Sequence, residues 1–144
     1  MSELAFVDEH VARTDASPER VWDSLTSSIE NAFGVLASGY ARVVGCEPVK
    51  ASGPRPFAVG STVPGFAVTG LDAPHRLVLT GSHRFSVYRL TFTIEQDGSG
   101  STLTGRTDAD FPGVLGAGYR IGVVRTGAHA LLTGGMVRRI AAAA

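Results

Sequence analysis

The stretch RLVLTGSHRFSVYRLTFTIE, residues 76–95, decides the fold. Side chains of an extended chain alternate between two faces, so apolar residues two apart mark one face of a strand. Leu77 and Leu79 share a face in the first half, while Leu90, Phe92 and Ile94 share one in the second. The first set is odd-numbered and the second even-numbered. One continuous strand cannot hold both on the same face, so a hairpin turn or bulge must lie between about Thr80 and Arg89. The stretch therefore reads as two strands, 76–83 and 85–96. With the leucines inward, Gly81, His83 and Phe85 tend inward before the turn and Tyr88 after it. Arg89, Thr91, Thr93 and Glu95 point the other way, which makes the sheet one-sided.

The same phasing extends in both directions. After Asp97-Gly98-Ser99-Gly100, a strand over 101–110 places Leu103, Gly105, Thr107 and Ala109 inward, with Thr104, Arg106 and Asp108 outward. Upstream, the clusters Ala51-Ser52-Gly53-Pro54, Val63-Pro64-Gly65 and Asp72-Ala73-Pro74 punctuate further strands at 42–48 and 65–71. Leu4 to Arg13 alternates loosely and reads as a first strand. Ser17-Pro18-Glu19 then starts a helix: a hydroxyl to cap, a proline for the first helical position and an acid at the positive end of the dipole. Val21, Leu25, Ile29, Ala32 and Phe33 give it one apolar face, Gly34 suits its end, and a short helix follows at 35–38.

Beyond Phe111-Pro112-Gly113 a long helix runs to Ile140, with Val114, Ala117, Ile121, Val124, Ala128 and Leu131 as its stripe. Six glycines fall in this span: Gly116, Gly118, Gly122, Gly127, Gly134 and Gly135. Each interior glycine costs ~1 kcal/mol relative to alanine. Either the helix breaks, near Gly134-Gly135, or close packing against the sheet offsets the cost. The fold class is α+β.

In this order of elements the chain resembles the START-like helix-grip superfamily (SRPBCC), and within it the bacterial polyketide cyclase/dehydrase branch. The resembling residues are Asp15-Ala16-Ser17-Pro18-Glu19-Arg20-Val21-Trp22, Asp72-Ala73-Pro74-His75-Arg76-Leu77, the run from Phe85 to Phe92, and Gly98-Ser99-Gly100-Ser101-Thr102-Leu103. The terminal helix completes the pattern. The resemblance implies a single helix-grip domain over 1–144, a curved antiparallel sheet wrapped around the C-terminal helix with an internal ligand cavity. It implies no universal catalytic motif.

Composition narrows the partners. The 144 residues suit one domain, with 44% hydrophobic and 18% charged residues. Thirteen basic and thirteen acidic side chains cancel, which removes the electrostatic footprint of a nucleic-acid binder. Cys46 is the single cysteine, so no internal disulfide forms, and a reducing cytoplasm fits. The start Met1-Ser2-Glu3-Leu4 lacks the basic and apolar regions of a secretory signal. Arg120, Arg125 and His129 interrupt the apolar region 111–137, so no membrane span is expected.

No metal and no cofactor are expected. His10, His75 and His129 are scattered, with no His-x-His or His-x-x-x-His spacing. Gly116-Ala117-Gly118-Tyr119-Arg120-Ile121-Gly122 imitates a dinucleotide fingerprint, but no acidic residue follows it. There is no Gly-x-Ser-x-Gly nucleophile elbow. Asp108 and Asp110 share a parity, and Asp108 is expected as a solvated surface partner of Arg89 or Arg106.

The candidate site consists of groups that the phasing turns toward the apolar face. His83 and Tyr88 are the candidate catalytic pair, an imidazole to exchange a proton and a phenol to donate a hydrogen bond. Either could instead tie down the hairpin. Phe66, Phe85, Leu90, Phe92, Thr107 and Phe111 are candidates for a ligand-lining wall, with core packing as the alternative for the aromatics. Tyr119, flanked by Gly118 and Gly122, is a further ligand contact or an ordinary packing residue. Three functions follow: binding of a small hydrophobic, polyketide- or lipid-like molecule; a cyclase, dehydratase or hydrolase using His83 and Tyr88; or a protein-interaction module. The expected assembly is a monomer or homodimer.

Overall fold

The computed structural model describes residues 5–32, 52–53, 57–63, 66–83, 86–110 and 128–144. Strand β1 (Ala5–Thr14) leads into helix α1 (Pro18–Ala32). Five strands follow: β2 (Thr62–Val63), β3 (Phe66–Asp72), β4 (Arg76–His83), β5 (Ser86–Asp97) and β6 (Gly100–Asp110). Helix α2 (Ala128–Ala143) closes the order. The expected strand at 42–48, the short helix at 35–38 and the part of the long helix before residue 128 lie outside the described residues.

The strands form one antiparallel sheet in the order β1-β6-β5-β4-β3-β2, so the first strand pairs with the last. The β4–β5 ladder confirms the phase argument, because Leu77 stands opposite Phe92 and Leu79 opposite Leu90. The next hairpin closes where the turn cluster predicts, with Asp97 paired to Gly100 and Gly98 at φ 63°. That left-handed backbone favours glycine.

Two bulges bend the sheet. One lies in β1 between Phe6 and Asp8, the other in β3 between Val68 and Gly70. An extra residue on one strand bends that strand and increases the local twist, which curves the sheet around what packs on its inner face.

That inner face is covered by both helices. On α1, Val21, Leu25 and Ile29 are fully buried, the face that the 3.6-residue spacing predicts. The Ser17 carbonyl accepts the first helical bond from the Val21 amide, and its hydroxyl accepts from Arg20 at 3.4 Å. Val137, Ile140 and Ala141 bury the corresponding face of α2. The Ser24 hydroxyl donates to the Ile140 carbonyl at 2.7 Å and ties the two helices together.

At Gly134 and Gly135 the helix does not break, while Gly116, Gly118, Gly122 and Gly127 lie outside the described residues. Helix α2 runs unbroken through Gly134 and Gly135 to Ala143, three residues beyond the expected end. A Cβ on Gly134 would stand 3.0 Å from Nδ1 of His10, and one on Gly105 only 2.8 Å from Cγ2 of Val137. Helix and sheet thus approach each other through missing side chains on both sides. The contact regained at Gly134 works against the lost helix propensity there.

One expectation is corrected. Asp108 lies on the outward parity and pairs with both predicted arginines, yet its side chain is only 3% exposed. Arg106 directs Nε and Nη2 to Oδ1, each at 3.1 Å, and Arg89 brings Nη2 to 3.5 Å from Oδ2. Two long side chains from adjacent strand positions enclose a short one between them. The acid is therefore buried by its own partners' stems.

Candidate functional site

Cross-strand partners share a face, so the ladders can be followed as rows over the inner surface. One row under the helices is His10–Gly105–Phe92–Leu77. The next is Asp8–Thr107–Leu90–Leu79–Val68. The third contains Ala109, Tyr88 and Gly81, and extending the β3–β4 register one step beyond Ala67 and Thr80 brings Phe66 beside Gly81.

Phe92 is fully buried in the core, while Leu90 and Thr107 are nearly so. Tyr88 and Phe66 remain partly exposed. Their rings meet edge to face, with centroids 5.0 Å apart and planes at 64°. Gly81 lies between them in the register and leaves room for the two rings to reach each other across β4. Of the expected lining residues, Phe66, Leu90 and Thr107 lie with the candidate catalytic Tyr88 on neighbouring positions of one face. Phe85, Phe111, Tyr119 and the side chain of His83 lie outside the described residues. The His83 backbone ends the β4–β5 ladder opposite Ser86.

Two polar residues on this face were not anticipated from sequence. Asp8 and His10 join in an ion-pair geometry, with Nε2 of His10 3.2 Å from Oδ2 of Asp8 and side chains 24% and 19% exposed for His10 and Asp8. The β1 bulge is what hides them from a simple alternation reading. The usable signal was the even parity shared by Asp8, His10 and Ala12, opposite the exposed Glu9, Val11 and Arg13.

Elsewhere, Arg20, Asp23, Ser24, Ser27, Ser28, Ala143 and Ala144 line a shallow groove on the outside, between α1 and the end of α2. Among the described residues no three His, Cys, Asp or Glu side chains gather closely enough to hold a metal ion. No described helix is long and apolar enough to cross a membrane.

The architecture, a curved antiparallel sheet closed by a C-terminal helix, is the helix-grip fold. No protein-family model and no curated protein matches the chain. Solved structures do match. Mll3558 from Rhizobium loti superposes with a TM-score of 0.59 at 18% identity, covering 99% of this chain and 100% of that one. CalU16 from Micromonospora echinospora gives 0.52 at 16% identity, over 88% of this chain and 70% of that one. DynU16, a protein of the dynemicin biosynthetic locus, gives 0.54 at 17% identity; it matches 93% of this chain, which spans 45% of its length. At these identities the likeness is one of fold.

Proposed function

We propose that the protein binds a small, largely apolar molecule against the inner face of its sheet, over Leu90 and Thr107 and beside the Phe66–Tyr88 pair. The observation that carries this reading is the partly exposed aromatic pair on the concave surface. Aromatic rings left accessible in a concave, mostly apolar setting with a few polar groups are the usual composition of a small-molecule site. The fold is shared with DynU16, a protein of the dynemicin biosynthetic locus, which is in keeping with this reading. Nile red, a neutral apolar dye, is expected to bind saturably with a rise in fluorescence. Phe66→Ala and Tyr88→Ala should each weaken it about tenfold, the value of ~1.4 kcal/mol of lost contact. Absence of saturable binding, or variants that bind like the wild type, would overturn the assignment.

A second reading makes the same surface catalytic. It is favoured by the proximity in register of His83, which ends the ladder two positions beyond Gly81, the partner of Tyr88. In this reading His83 exchanges a proton and Tyr88 donates a hydrogen bond to a ligand carbonyl, in cyclase, dehydratase or hydrolase chemistry. If the protein hydrolyses 4-nitrophenyl butyrate, His83→Ala should lower kcat/KM by about a hundredfold, and Tyr88→Phe by less. Unchanged rates in both variants would remove these roles.

A further inference from the structure

We infer that the bound molecule carries a hydrogen-bond-donating or cationic end, read by Asp8 together with Thr107, and that carboxylate-ended molecules are rejected. This rests on the proposal that the inner face holds a small apolar ligand and specifies the chemistry of that ligand's polar end.

The argument starts from the order of side chains across the sheet. Asp8 on β1, Thr107 on β6 and Leu90 on β5 are successive ladder partners, and Tyr88 is one row from Leu90. Strands lie ~4.8 Å apart, so β1 and β5 are separated by about 10 Å. Along that line the surface changes from a carboxylate to a hydroxyl, then to a leucine and an aromatic pair. A molecule lying across it meets an acid at one end and apolar surface at the other. Such a gradient fits an amphipathic guest in one orientation.

His10 fixes the acid end. Its Nε2 holds Oδ2 of Asp8 at 3.2 Å. The adjoining edge of the ring lies against helix α2, with Nδ1 3.0 Å and Cε1 3.3 Å from the place a Gly134 Cβ would occupy. The imidazole is wedged between the helix and the carboxylate, so it acts as a positioning residue for Asp8. A preset carboxylate in a partly desolvated site favours O–H and N–H donors, most strongly charged ones, and repels another carboxylate. Thr107 places a hydroxyl beside Asp8, on the next strand of the same row.

Three naphthalene probes of one ring size separate the possibilities: 2-naphthylmethylamine as cation, 2-naphthalenemethanol as neutral donor and 2-naphthoate as anion. Binding is read from probe fluorescence at one pH and ionic strength, with wild type and Asp8→Asn. The wild type should bind the amine about tenfold more tightly than the naphthoate, with the alcohol between them. In Asp8→Asn the amine and naphthoate should differ by less than about threefold. The wild-type ranking stands as a test even if the variant folds poorly. Equal or tighter binding of naphthoate by the wild type, or a gap that survives in Asp8→Asn, overturns the inference and leaves the apolar site intact. If none of the three probes binds and Nile red also fails, both readings fall together. If Nile red binds and the probes do not, only the inference is lost.

Discussion

Phe92→Ala should remove about 3–5 kcal/mol of unfolding free energy, the range for an aromatic ring truncated in a packed core. The ring is fully buried, stands opposite both Leu77 and Gly105, and touches the point where a Gly105 Cβ would be, at 3.4 Å. It lies on the row over which the sheet receives helix α2. Truncation therefore leaves a void under the helix, and a domain of ordinary stability has only ~5–15 kcal/mol to lose. Urea denaturation would read this as a lower midpoint at unchanged slope. A loss below about 1 kcal/mol would mean that the ring does not fill a packed interior.

The second large effect belongs to Gly100. A Cβ there would overlap the Thr14 carbonyl oxygen and press on the Asp15 Cα. These are backbone atoms of the β1–α1 connection, with no rotamer to relax into. The neighbouring Ser101 hydroxyl donates to the Ala16 carbonyl at 2.8 Å, a fully buried clamp between the β5–β6 turn and the start of α1. Gly100→Ala must push the connection away and stretch that bond. The expected cost is about 3 kcal/mol, from overpacking plus a weakened buried hydrogen bond. Ser99→Ala, exposed in the same turn, should stay within about 0.5 kcal/mol. Similar melting of the two variants would show that the turn does not bear on the helix start.

The hairpin of β4 and β5 was legible because its apolar residues change parity across a short polar interval, and only a reversal of the chain allows that. Helix α1 was legible from Ser17-Pro18 and the spacing of Val21, Leu25 and Ile29. The polar end of the candidate site was not. Parity counting assumes one residue per step, and the bulge near Val7 breaks that assumption, so Asp8 and His10 could not be assigned a face with the same ease as Leu90 or Thr107. Asp108 was misjudged for another reason. Alternation gives the direction of a side chain but not the reach of its neighbours, and Arg89 and Arg106 are long enough to roof over an outward acid. Position 105 showed its inward face in sequence, but that its bareness admits Val137 is a relation between distant segments.

The step in β1 has a consequence for how this chain tolerates change in length. Ahead of it Ala5 stands opposite Ala109, and after it Asp8 stands opposite Thr107, with Val7 supernumerary. Were Val7 to take a rung of its own, Glu9 and Arg13 would turn toward the interior and Ala12 away from it, an exchange that two stranded charges forbid. Loss of Val7 would instead straighten the strand and keep the same residues indoors. The kink is thus a buffer, a place where the chain can lengthen or shorten by one while the wall behind it stays as it is.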